Sequence, residues 1–276
     1  MRHTTILLTA GVISALSAGA SAAASASTLV PHRAVYDLEL KNASDRSGIT
    51  GLKGRMVYEF NGSACEGYTT TFRYVTEIDN GEQLRLTDQQ TTTFEAGDGS
   101  EFRFLTKSFV DKQLDTETIG DASSGAGGIA VKLKKPKEEK LALEKSQFPT
   151  QHLIELLGKA KKGEKFYETT IYDGSDDADK ILSTTVIIGK DDNASATASD
   201  DSAPMKDLGK GHHWPVSLSY FEDGKESDGL PVYQIAFKLY DNGITRDLVM
   251  DYGDFSMTGR LVDLKIFDTS KDCKVQ

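Results

Sequence analysis

The sequence is poor in the residues that usually announce chemistry. Cysteine occurs 2 times and tryptophan once in 276 residues. The two cysteines, Cys65 and Cys273, lack the Cys-x-x-Cys spacing of a dithiol redox centre. There is no Gly-x-Ser-x-Gly elbow, no His-Glu-x-x-His, no phosphate-binding Gly-rich loop with Lys and no dinucleotide fingerprint. Basic side chains number 32 against 42 acidic ones, a formal charge of -10. No basic stripe offsets that excess, so phosphates would be repelled and a general nucleic-acid role is excluded. Beyond the N-terminus no segment approaches the ~18 consecutive apolar residues of a spanning helix. With 38% hydrophobic and 27% charged residues, 25 Gly and 6 Pro, the chain is not collagen-like, coiled-coil or wholly disordered.

What is present begins with an export signal. Arg2 supplies the positive end, Ile6 to Leu16 an apolar stretch, and small residues run from Ser17 to Ser27, with cleavage sites after Ala20, Ala24 or Ala26. The stretch is short and diluted for a membrane anchor, and no Cys follows it to take a lipid. Residues 1–26 are read as signal peptide and 27–276 as a single domain, large enough to bury ~70% of its unfolded surface. Its compartment would be oxidising, so Cys65 and Cys273 are read as a disulfide; two buried free thiols are the alternative.

Strand patterns dominate the rest. Arg33 to Leu40 puts Tyr36, Leu38 and Leu40 on one face, and Leu52 to Phe60 does the same with Met56, Tyr58 and Phe60. Gly67 to Ile78, Gln83 to Glu95 and Glu101 to Val110 follow, then Phe166 to Tyr172, Ile181 to Gly189, Pro215 to Phe221, Val232 to Tyr240, Ile244 to Asp251 and Phe255 to Phe267. Asn80-Gly81 and Asn242-Gly243 suit tight hairpins. About a dozen short strands at roughly ten-residue spacing predict a mainly β, antiparallel fold: a sandwich, a barrel or a related curled sheet.

One helix is predicted near residues 150–162. Thr150 is placed as its cap after Pro149, Leu153, Ile154, Leu157 and Ala160 as its apolar stripe, and Gly163 as its stop. The stripe reads as a lid buried against the sheet rather than a docking face for a partner. Two stretches read as excursions from the core. Residues 191–211, mostly Asp, Ser, Ala and Lys, predict a flexible, solvated loop. Lys132 to Lys145 mixes six Lys with three Glu and reads as solvated surface, with a basic patch for an anionic lipid as the alternative.

Candidate sites are weak. His32 and His152 stand isolated, and adjacent residues such as His212 and His213 point to opposite faces of a strand, so they do not share a metal. Asp173, Ser175, Asp177 and Asp179 imitate a calcium loop, but Ala178 stands where Gly is needed and Thr184 where Glu is. Asn-x-Ser sequons occur at Asn42, Asn61 and Asn193. The reading assigns no catalytic residue, no metal ligand and no cofactor, and nothing singles out a carboxylate pair among 42 acids.

A set of segments then carries a resemblance: VPHRAVYDLEL, GRMVYEFNGSACEGYTTTFRYVTEI, TDQQTTTFEAGDGSEFRFL, FPTQHLIELL and LPVYQIAFKLYDNGITRDLVMDYGDFSMTGRLVDLKIFD. Together these resemble the EipB family of periplasmic cell-envelope integrity proteins of alphaproteobacteria, from Pro31 to Cys273. The resemblance implies a single curled antiparallel sheet, an open barrel-like β-spiral; a disulfide matching Cys65 and Cys273; residence in the periplasm; and a part in envelope stability. It also implies a protein partner in the periplasm or outer membrane, a helical-repeat envelope protein among the candidates. Three functions follow as expectations: a non-enzymatic protein that binds another envelope component, a carrier of a lipid or lipoprotein acyl chain in the concave face, and an envelope hydrolase. A carrier requires a continuous apolar cavity of ~300 Å³ or more.

Overall fold

The structure is a computed structural model that describes residues 29–175, 178–192, 208, 211–222 and 229–268. The predicted signal segment, Cys273 and most of 191–211 lie outside those residues. Strands are β1 (His32–Ala43), β2 (Gly51–Ser63), β3 (Gly67–Asp79), β4 (Leu84–Glu95), β5 (Glu101–Val110), β6 (Gln113–Gly125), β7 (Gly128–Lys135) and β8 (Glu139–Leu143). After helix α1 (Pro149–Lys162) come β9 (Phe166–Ile171), β10 (Leu182–Ile188), β11 (His213–Glu222), β12 (Tyr233–Tyr240), β13 (Thr245–Asp251) and β14 (Phe255–Ile266).

All fourteen strands form one antiparallel sheet in the order β8-β7-β6-β5-β4-β3-β2-β1-β14-β13-β12-β11-β10-β9. Two meanders therefore meet along one seam, where β1 pairs with β14 on one side and β2 on the other. Local sequence makes the meanders: Gly81 and Gly243, with φ of 83° and 89°, supply the left-handed residue of the β3–β4 and β12–β13 turns. The sheet does not close into a barrel. β8 and β9 are its two ends, and α1 connects them. Just before α1, Gln147 forms a parallel bridge to Ile171 of β9, donating its N–H to the Thr170 carbonyl and accepting from Tyr172.

α1 starts at Pro149, a residue that needs no N–H partner at a helix start, and ends at Gly163 in the left-handed conformation. Thr150 is not its cap. Phe148 occupies that position without a side-chain hydrogen bond, and Glu95 of β4 does the capping. The helix is buried as a lid would be, with its stripe shifted: Leu156, Leu157 and Ala160 pack with Phe60, Tyr68, Val186, Trp214 and Leu218, while the predicted Leu153 and Ile154 are half-buried at the margin; each buried leucine contributes about 2 kcal/mol. A second cluster gathers Tyr36, Leu38, Leu248, Met257 and Leu261 along the seam. A third holds Phe102, Phe104, Ile129, Val131, Phe148 and Tyr172.

One expectation needs correcting. Lys132 to Lys145 is not an excursion: it builds the end of β7 and all of β8, with Ile129, Val131 and Leu133 buried while Ala130, Lys132 and Lys134 point outward. The lysines are the wet face of an alternating strand, and β6, for which the sequence predicted no strand, pairs with both β5 and β7. Within 191–211, Asp192 pairs with His213 and Leu208 is buried in the seam cluster, while residues 193–207, 209 and 210 lie outside the described residues.

Candidate functional site

The curl leaves an unfilled space on its concave face. The cavity has a volume of about 450 Å³ and is lined from β1 through β5, from β11 to β13, from α1 and from the β9–β10 loop. Strand alternation positions the lining. Tyr36 on β1, Met56 and Tyr58 on β2 and Phe72 on β3 occupy alternate positions directed inward. The facing wall consists of Leu218 and Tyr220 on β11, Ile235 and Phe237 on β12, Leu248 on β13, and Leu153 and Leu156 on α1. This wall is almost wholly apolar.

Polar side chains also line the curl, and several of them are committed to partners. Tyr36 donates its hydroxyl to the Thr245 carbonyl at 2.7 Å, and burial pushes its pKa far above the phenol range. The His32 Nδ1 lies 2.7 Å from the Val30 carbonyl, to which it donates, and the ring sits 5.7 Å from Tyr58. Burial lowers the His32 pKa, with the Val30 bond opposing. His152 on α1 has its Nε2 3.3 Å from the Tyr167 hydroxyl, and burial lowers its pKa to about 4. Both imidazoles are thus uncharged near neutrality, each bonded to a structural partner. Glu95 accepts from the backbone N–H groups of Thr150 at 2.7 Å and Gln151 at 2.9 Å. Burial raises its pKa against the pull of those bonds; as a carboxylate it complements the positive end of the helix.

The sequence candidates are scattered by comparison. His32 and His152, isolated in sequence, both reach the cavity wall. His213 is buried and stacked on Tyr240 at 5.1 Å, whereas His212 is exposed and 2.8 Å from Asp191, so the pair diverges. Asp173 accepts from the Ser175 N–H at 2.9 Å in the β9–β10 loop, Ala178 is left-handed there at φ 56°, and Asp177 is outside the described residues. Cys65 lies exposed in the turn between β2 and β3, and among the described residues no cysteine is free. Asn42 is exposed at the end of β1, Asn61 donates to Glu59, and Asn193 is not described. Missed altogether were the inward threonines Thr70, Thr91, Thr93 and Thr106 and the amide of Gln89. Their signal was there in the run Thr87 to Thr93, a strand with no aliphatic residue on either face.

Comparison with known proteins places these features in a family context. The profile described as EipB-like matches residues 23–268. A protein of Brucella abortus (strain 2308), "Cell envelope integrity protein EipB", is 59% identical over 256 residues, covering 92% of this chain and 90% of its own. A crystal structure of a beta-barrel-like protein of unknown function from Brucella abortus superposes with a TM-score of 0.84 at 57% identity, over 87% of this chain and 99% of that one.

Proposed function

This chain belongs to the EipB-like family, and from that membership and its cavity we propose that it maintains the cell envelope from the periplasm by binding an apolar envelope component in the concave face, without catalysis. The cavity carries the reading. Its volume of about 450 Å³ exceeds the ~300 Å³ that a small-ligand site needs, and its walls are apolar across β11 to β13 and α1. A sheet that served only as a scaffold would gain stability by filling such a space. The export signal at residues 1–26 supports the periplasm as its place of work. That compartment also supports pairing of Cys65 with Cys273.

Mass spectrometry of an organic extract from protein purified from its native envelope tests the function. An acyl-bearing compound near one equivalent is expected, and its loss when Leu218 and Ile235 are both replaced by Glu, in protein that still folds. Extracts free of any such compound, together with no uptake of a fluorescent acyl probe, would overturn the carrier.

A second reading, docking of an envelope protein, has its own observation. Phe166 on β9 and Ile187 on β10 are cross-strand partners, 59% and 56% exposed, at the free end of the sheet. Crosslinking in intact cells that captures one reproducible partner, lost in Phe166→Asp, would support it.

A further inference from the structure

Strand β4 faces the interior with the wrong chemistry for a core. Thr87, Gln89, Thr91, Thr93 and Glu95 alternate along it, and each pairs directly with an inward residue of β3: Thr76, Tyr74, Phe72, Thr70 and Tyr68. A concave face that only had to pack would be apolar here. Glu95 is taken up by the start of α1, and the Thr87 hydroxyl lies 2.6 Å from that of Thr76. Gln89, Thr91 and Thr93 line the cavity, and Thr70 and Thr106 extend the same polar wall. The Thr91 and Thr106 hydroxyls are 3.1 Å apart, so one donates to the other and lone pairs stay open toward the space. Gln89 is exposed, which sets this wall at the cavity mouth.

Charge and size narrow the occupant. Among the described residues lining the cavity there is no Lys or Arg, and the acid is Asp173. Burial keeps His32 and His152 uncharged. An anion entering here would lose its water, find no cation and face a carboxylate. At ~30 Å³ for each water-sized group, the space takes roughly 15 of them, the bulk of one acyl chain rather than two.

We propose that the cavity selects a single-chain amphiphile with an uncharged hydroxyl- or ester-bearing head, the chain lying against β11 to β13 and α1 and the head against Gln89, Thr91 and Thr106. This rests on the carrier reading and specifies its ligand. Hydroxyl and amide groups satisfy an ester or glycerol head without requiring a counter-ion.

The test is displacement of the uncharged dye 1-N-phenylnaphthylamine from the purified protein, with competitors held below their micellar concentrations. Monopalmitoylglycerol should displace it at about tenfold lower concentration than palmitate or palmitoyl lysophosphatidylglycerol. Gln89→Leu combined with Thr91→Val should weaken monopalmitoylglycerol about tenfold relative to palmitate, in protein whose circular dichroism matches that of the parent. Asp173→Asn should narrow the gap between palmitate and monopalmitoylglycerol. Equal displacement by charged and uncharged heads, or no effect of the β4 variant, overturns the head-group selection and leaves the carrier standing. Failure of the dye and of every acyl competitor to bind overturns both.

Discussion

Among single residues, His152 carries a distinct pH signature. Its ring is buried between α1 and β9, and loss of water around the charged form lowers its pKa to about 4. In the unfolded chain it titrates near 6.5. Between those values the unfolded state holds a proton that the folded state refuses. Stability contributed by neutral His152 is therefore full above pH 6.5 and falls as pH drops toward 4, by on the order of 3 kcal/mol. His152→Gln keeps a hydrogen-bonding partner for Tyr167 but cannot titrate. Its melting temperature should fall less than that of the parent between pH 7 and pH 4.5, measured by calorimetry; parallel curves would contradict the assignment. Glu95, its pKa raised, acts in the opposite sense in both proteins and drops out of the comparison. None of this was legible from His152 alone, because a lone histidine in sequence carries no record of what buries it.

Elements divide into those whose pattern declares them and those whose partners do. β1 and β2 were readable from strict alternation, and α1 from its stripe, its flanking Pro149 and its terminal Gly163. The capping of α1 was not, since the acceptor lies on β4, 55 residues earlier than Thr150. Glu95→Ala should cost about 2–4 kcal/mol, because one buried and one half-buried helix N–H lose their acceptor, whereas Glu95→Gln, which keeps one oxygen, should cost less than half of that. Urea unfolding measures the difference; equal costs would assign the effect to packing. β6 escaped notice because its inward residues are small, with Thr118, Gly120 and Ala122 buried where bulky strand formers are usual. Gly120 faces Phe104 so closely that a Cβ would come within 2.5 Å of the ring. β4 was recognised as a strand but not as a cavity wall, since polar residues at both alternations look the same on a solvated surface and on the rim of a cavity.

At the scale of the whole molecule, stability depends on holding two meanders together at one seam. The β1–β14 ladder spans His32↔Ile266 to Ala43↔Phe255, with bulges after Val35 and Leu40, whereas the far ends of the meanders share no ladder and meet through the Gln147 bridge and the packing of Phe102, Phe104 and Ile129 with Tyr172. His32 pairs with both Phe60 and Ile266, so β2 runs toward the Cys65 turn at the rim where β14 ends. From Phe267, whose N–H donates to the Pro31 carbonyl, six residues lead to Cys273 and reach up to about 20 Å when extended. Two ladder spacings, about 10 Å, separate β2 from β14, so a bridge from Cys273 to Cys65 would cross β1 and staple the seam. The loop it closes, 273 − 65 = 208 residues, sets an entropic ceiling on the order of 5 kcal/mol. At roughly 2–4 °C for each kcal/mol in a chain of this size, Cys65→Ser should lower the oxidised melting temperature by up to about 10–20 °C. The same drop should follow from adding reductant to the parent, and reductant should leave the variant unmoved. A parent that melts alike with and without reductant would mean that the ladder holds the seam alone, and the two cysteines would then have no part in keeping the curl, or its cavity, in shape.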